Sequence, residues 1–323
     1  MSPRRDWLWL VLLGLIGLAL PMLASEFVLS LAMVCLMYAT LSSSWALFCG
    51  ATRYLSLATS AFFGVGAYTS ALLLAELPWF LVVAAGAAVA AMLAVVIGAA
   101  VLHLRGTYFA MLTFGMTELI MHAVTFAEKS LSGTVGRVLI TVPENLTVYL
   151  TMLALTALAV VASILVRRSR FGLALTGIGS DEQRAQTLGV DTRRVKIAGF
   201  ALTAGFAGAA GAAMAVRWTY IEPHGVFNSF IGFQTVLIAL IGGATTLWGP
   251  LFAAVAFSLL SETLRLQLPQ LYMMALGLLL ILCVLYLPNG LSTLRWQNLM
   301  PSGRREGGPA APAPDIPPPG DPR

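Results

Sequence analysis

Residues Arg167–Lys196 read RRSRFGLALTGIGSDEQRAQTLGVDTRRVK, a polar island between long apolar runs. The island carries six Arg and one Lys against Asp181, Glu182 and Asp191. Apolar stretches long enough to cross a bilayer, which takes about 20 residues, lie on both sides of it. It is too long for a simple turn and too short for a domain. Its charges are interleaved with apolar residues rather than massed. An ordered loop of this kind between membrane spans exists to meet a partner, and it orients everything around it.

Working outward, the composition fixes the class. Of 323 residues, 59% are hydrophobic and 10% charged, whereas soluble domains carry about 25% charged residues. Mean hydropathy is +0.86. This is an all-α polytopic membrane protein. The net charge of +5 comes from basic residues in loops and tails, as the positive-inside rule expects, and does not point to nucleic acid. Cys35, Cys49 and Cys283 fall inside apolar runs without disulfide or metal-ligand spacing. The N-terminus resembles a signal peptide, but a second span follows Glu26 at once, so it reads as an uncleaved first helix.

Ten candidate spans follow: 7–24, 27–49, 55–76, 79–102, 107–127, 146–166, 197–218, 228–246, 248–266 and 270–288. The third and eighth contain Gly, Ser and Thr and read as possible broken or re-entrant segments, giving a range of 8–10 helices. Arg4 and Arg5, Arg53, His103 with Arg105, the island, and Arg295 with Arg304 and Arg305 all lie after an even number of spans. All therefore fall on one side, the cytoplasmic side, with both termini there. Arg217 and Arg265 are exceptions at outer ends, where a long side chain can snorkel. Residues 1–296 form the transmembrane domain. The tail, 297–323, is rich in proline, lacks apolar periodicity and reads as a disordered cytoplasmic segment.

Within the spans, two places interrupt the helical pattern. Ser60–Tyr68 brings Gly64 and Gly66 close together, and reads either as close helix packing or as a broken helix lining a transport path. Ile241–Pro250 reads as a turn at the cytoplasmic surface. Gly205, Gly208 and Gly211 recur at helical spacing and read as a tight helix contact. Ionisable groups inside spans are costly. Glu118 and His122 sit one turn apart on the fifth span, where they read as a pathway lining, a proton relay or a structural pair. With Thr113 on the same span, and with Gly64 and Gly66, they make the set of pathway candidates.

Several chemistries have no support. Neither lysine, Lys129 or Lys196, follows a glycine-rich loop, so there is no phosphate-cradling GxxxxGK[ST] motif. HExxH and GxSxG are also missing, and no carboxylate array lies at mid-membrane depth. The chain reads as neither an enzyme nor an ATPase, with no cofactor or metal of its own. If energy is used, a partner supplies it.

Inside the island, Ser180 reads as an N-cap, with Asp181 and Glu182 in the first turn where the helix dipole favours acids. Gly189 reads as the helix stop, and Ala185 with Leu188 as one short apolar face. A helix of about two turns is marginal alone and calls for a partner groove.

The runs SRFGLALT (169–176), AQTLGV (185–190) and KIAGF (196–200) resemble the coupling loop of LivM-type permeases. These are membrane subunits of branched-chain amino acid ABC importers, with relatives that carry amides and urea. The Ala185-x-x-x-Gly189 spacing is similar to the EAA loop that importer permeases present to their ATPase. AFFGVGAY (61–68), LRGTYFA (104–110) and GGATTLWGP (242–250) also look like family signatures, and the resemblance covers residues 30–296. Gly179–Glu182 departs from the family's Arg-Glu-Asn/Asp-Glu stretch, implying a variant ATPase interface.

The resemblance implies a permease working by alternating access in a bacterial inner membrane. Its implied partners are a related second permease, two ATP-hydrolysing subunits and an extracytoplasmic substrate-binding protein. Ser180, Asp181, Glu182, Ala185, Leu188 and Gly189 would couple to the ATPase. The alternative expectation is a proton-coupled secondary transporter acting alone.

Overall fold

The computed structural model describes residues 3–281, except 24, 105, 140, 141, 219, 269, 270, 272, 273, 275, 276, 279 and 280. Most of the predicted tenth span lies outside the described residues, and Cys283 and the Pro-rich tail wholly outside. Among the described residues the regular structure is helical, apart from one two-stranded ladder. The elements are α1 (Pro3–Leu23), α2 (Glu26–Thr52), α3 (Thr59–Leu73), α4 (Trp79–Val101), α5 (Thr107–Ser132), β1 (Arg137–Val138) and α6 (Asn145–Arg168). There follow α7 (Arg170–Ser180), α8 (Glu182–Thr187), α9 (Thr192–Ala215), β2 (Tyr220–Ile221), α10 (Pro223–Val226), α11 (Ser229–Gly242) and α12 (Gly249–Gln267).

Among the described residues, seven helical runs are long and apolar enough to cross a bilayer. They correspond to the predicted second, fourth, fifth, sixth, seventh, eighth and ninth spans, the eighth starting earlier because α10 leads into α11. The first span has only the shorter apolar stretch Asp6–Met22. The third is broken. Residues 53–58 run without helix before α3, which is 15 residues long. Their backbone groups find side chains instead: Trp45 Nε1 donates to Ser56 O (2.8 Å), and Leu57 N–H donates to Thr113 Oγ1 (3.1 Å). Tyr54, Ser56 and Ala58 of this segment are buried, so protein covers its irregular backbone.

The centre of the bundle is α9, packed most extensively on α4 and α3. The small-residue spacing read from the sequence makes this possible. A methyl on Gly66 would collide with the Gly208 carbonyl, and one on Gly211 with the Phe63 carbonyl. Side chains in lipid gain nothing hydrophobic by leaving it, so close backbone approach is what holds such helices together. Phe48, Phe62 and Phe109 pack around Phe200 at the island end of the same core.

The two arginines that open the island tie α6 to other elements at one end. Arg168 donates to Asp6 of α1 (2.9 Å). Arg167 donates to the carbonyls of Thr245 and Thr246, in the turn between α11 and α12. The opposite end is closed by Glu128, whose side chain is buried. It accepts from Tyr68 Oη (3.1 Å), Gly136 N–H (3.0 Å) and Arg137 Nε (3.1 Å), holding the loop that carries β1 against β2.

Candidate functional site

The island folds as consecutive capped helices. Ser169 Oγ accepts from Gly172 N–H (3.2 Å) and starts α7. Gly172, Leu175 and Ile178 face inward, and a methyl on Gly179 would collide with the Ala51 carbonyl, so α7 lies close on α2. Helix α7 is not among the elements expected from the sequence, although Phe171, Leu175 and Ile178 mark its apolar stripe. Because α7 continues through Ser180, the Ser180 hydroxyl donates back to Thr176 O (3.1 Å) and does not cap the next helix. That expectation is corrected: Asp181 is the N-cap. Its Oδ1 accepts from Gln183 N–H (3.0 Å) and Arg184 N–H (3.1 Å). Asp191 Oδ1 likewise accepts from Arg194 N–H (3.1 Å) at the start of α9.

Helix α8 ends as its sequence requires. Gly189 takes φ 82°, a conformation that costs glycine little. Val190 N–H donates to Ala185 O (3.1 Å) and Gly189 N–H to Gln186 O (2.9 Å), which satisfies the last carbonyls. The single apolar face expected of Ala185 and Leu188 is divided. Ala185 is buried against the chain's own core, while Leu188 points out, 83% exposed. Leu188 follows the last residue of α8, where the chain leaves the helix, so its side chain is not held on the buried face. Gln183, Arg184, Thr187 and Gly189 are exposed with Leu188.

Glu182 faces inward too, and here the site has its most ordered chemistry. Lys196, on the first turns of α9, is buried, and its ammonium donates to Glu182 Oε1 (2.7 Å), Leu102 O (2.7 Å) and Tyr54 Oη (3.2 Å). Tyr54 in turn donates to Glu182 Oε2 (2.8 Å). Burial and the adjoining Glu182 carboxylate raise the Tyr54 pKa above its ordinary value, which keeps the hydroxyl a donor. All three ammonium protons have acceptors, the condition under which a buried ion pair is tolerated. The latch joins α8 to α9, to the residue following α4, and to the irregular segment before α3.

The sequence places Lys196 among the island's cations and in the KIAGF run, and assigns it no partner. The missed signal is the buried stripe Thr192, Lys196, Phe200 and Thr203, which puts the lysine on the apolar face of α9.

The pathway candidates are dispersed. Gly64 lies against the Phe227 ring and Gly66 against Gly208, so both are helix contacts inside the chain, and close approach is the reason glycine stands there. Thr113 is buried, donating to Ala110 O (3.0 Å) while it holds Leu57 N–H. Glu118 accepts from Ser229 Oγ (3.1 Å) at the start of α11, and His122 faces His224 with ring centres 6.4 Å apart. The two do not form the one-turn ion pair that their spacing allowed.

At the end of α9 remote from α8, a pocket of about 700 Å³ opens between α2, α11 and α12. Arg217 and Arg265, the two outliers of the charge pattern, both line it. Their common failure to fit one-sided placement was the only sign of it in the sequence.

The family model for the branched-chain amino acid transport system / permease component matches residues 27–285. The chain belongs to this family. The permease sequence is 25% identical to the high-affinity branched-chain amino acid transport system permease protein LivM of Escherichia coli (strain K12), over 90% of this chain and 76% of that protein. It is 26% identical to LivM of Salmonella typhimurium (strain LT2), over 95% of this chain and 80% of that protein. No solved structure matches it. The permease is thus a multi-pass membrane protein of a transport family.

Proposed function

We propose that the chain is the membrane-spanning subunit of an ATP-driven importer in a bacterial inner membrane. Its proposed cargo is branched-chain amino acids or related small polar solutes. One observation carries this reading: α8 is held rigidly on its inner side by the buried Glu182–Lys196–Tyr54 latch and leaves Leu188 and Gly189 bare on its outer side. A short helix built this way is a handle, and the chain has no phosphate-cradling loop with which to move it.

In this reading two ATP-hydrolysing subunits grip α8 from the cytoplasm. Both termini lie on that side, and this chain binds no cofactor itself. A related permease completes the translocation path by alternating access, and an external binding protein delivers the solute. Displacement of α8 passes through the latch into α9 and, by way of the Leu102 carbonyl, into α4. These helices share the small-residue contacts of the core, so they move as a block. Of the coupling residues, Leu188, Gly189 and Ser180 meet the ATPase, while Asp181, Glu182 and Ala185 hold the handle. Glu118 and His122 face the path, with Thr113, Gly64 and Gly66 setting the helix positions behind them.

The test is reconstitution in liposomes. Uptake of labelled L-leucine that requires ATP and co-purified ATP-binding subunits is the expected result. Uptake by this chain alone, driven by a pH gradient and lost in Glu118→Gln, would establish the proton-coupled alternative instead.

A further inference from the structure

A cleft of about 360 Å³ lies between α1, α2, α6 and α12. Leu10, Leu13, Gly14, Gly17 and Leu20 recur at helical spacing, form the half-buried face of α1 and line the cleft. The glycines leave room on that face. Gly17 lies against the Leu153 side chain of α6, while nothing stands within 4 Å of a methyl placed on Gly14. Val28, Val255 and Leu259 also line the cleft and are exposed, so it opens to the outside of the bundle.

The walls suit hydrocarbon and little else. Tyr149 and Thr156 line the cleft, but Tyr149 Oη donates to Gly17 O (2.8 Å) and Thr156 Oγ1 to Met152 O (2.8 Å), so both hydroxyl protons are already spent. The lined stretches are Leu10–Leu20 on α1, Val28–Ala39 on α2 and Tyr149–Val160 on α6. At about 1.5 Å of rise per residue, each is about 15–17 Å long. That is half of a hydrocarbon core of about 30 Å, the depth that one leaflet's acyl chains fill. Met274, Leu278 and Ile281, described residues of the tenth span, are exposed and do not line the cleft.

One end of the cleft carries charge. Trp248 lines it there, and its indole N–H donates to Asp6 Oδ1 (3.4 Å), while Asp6 Oδ2 is paired with Arg168 (2.9 Å). Arg168 keeps 42% of its side chain exposed. Arg170, at the start of α7, is exposed and has no carboxylate partner among the described residues. Arg4 and Arg5 precede Asp6 in the sequence. Arginine therefore exceeds aspartate at this end, with a tryptophan at the level where such rings sit between headgroup and chain. A basic surface at the mouth of an apolar cleft is complementary to a lipid of net negative charge.

We propose that the cleft holds an acyl chain of an anionic phospholipid from the leaflet on that side, with the phosphate at Arg168 and Arg170 and Trp248 between headgroup and chain. The lipid supplies the packing that glycine leaves out on the inner face of α1, and it braces α1 against α6 and α12. The site stands apart from the transport reading, because its occupancy is measured with neither ATP nor solute.

The full-length chain is purified in detergent, stripped of lipid and given dioleoyl phosphatidylglycerol or dioleoyl phosphatidylcholine, which share acyl chains and differ in net charge. Native mass spectrometry reports retention, and thermal unfolding reports the effect on Tm. Phosphatidylglycerol is expected to be retained about tenfold better and to raise Tm further. Gly14→Leu fills the cleft where there is free space, and should cut phosphatidylglycerol retention about tenfold at unchanged lipid-free Tm. Arg170→Gln should cut it about fivefold. Phosphatidylglycerol with a photoreactive group on its acyl chain should label α1 and α6.

Equal retention of the two lipids by the wild-type chain overturns the site without relying on any variant. So does undiminished retention in a folded Gly14→Leu chain. Acyl labelling confined to other helices overturns it as well, and would leave the cleft to the chain's own tenth span. Dimers that Gly14→Leu dissolves, with neither lipid retained, would assign the cleft to a second copy and refute the lipid.

Discussion

The two ends of α9 handle charge in opposite ways. At the α8 end, Lys196 and Glu182 are both buried, 5% and 9% exposed in their side chains, and each is matched by an opposite charge or a polar partner. At the far end, Arg217 stands exposed at a pocket, with no carboxylate beside it among the described residues. The contrast separates internal mechanics from recognition. A closed ion pair costs desolvation, and what it provides is a fixed relation between helices. An unpaired cation beside a cavity keeps its attraction for something that arrives from outside.

The largest expected break in this comparison is Lys196→Met. It takes away the buried ammonium that faces Glu182, and removing one partner of a buried pair costs about 3–5 kcal/mol. Chemical denaturation in detergent should show that loss, and the double variant with Glu182→Gln should recover a substantial part of it. Equal stability of single and double variants would mean the latch is not coupled. Next in size, Gly66→Ala forces α3 off α9, at about 1–3 kcal/mol for overpacking. Thermal unfolding should register it, whereas Gly115→Ala, with open space around it, should be neutral or better.

Asp181→Ala removes only the cap of α8, at about 1 kcal/mol. Its signature should be faster hydrogen exchange confined to Gln183 and Arg184. Smallest in stability is Arg184→Ala, since its pair with Asp181 is exposed and such pairs contribute about 0–1 kcal/mol. An effect on uptake without one on Tm would place Arg184 at the ATPase interface.

Much of this was legible in the sequence, for identifiable reasons. Spans such as α4 and α6 are long and uniformly apolar, so their limits fall within a residue or two of those read from hydropathy. Gly189 as a helix stop followed from backbone sterics alone. Other features depend on tertiary partners that a linear reading does not supply. Residues 53–58 lose their helix because Trp45 and Thr113 offer alternative hydrogen bonds. Ser180 is a good cap by type, but α7 runs through it. Leu188 and Ala185 share chemistry, yet Ala185 lies within α8 against the core while Leu188 comes after its last turn and is exposed. Lys196 resembled its neighbours Arg193 and Arg194 until Tyr54 and Glu182, brought from distant positions, enclosed it.

The most direct measurement uses Leu188→Asp, a change to an exposed side chain that leaves the latch intact. The detergent-solubilised variant is tested for recovery of its ATP-binding subunits and, after reconstitution, for ATP-driven L-leucine uptake. The account predicts an unchanged Tm, with both recovery and uptake reduced to background. Wild-type recovery and uptake in a folded Leu188→Asp chain would contradict the assignment of α8 as the handle.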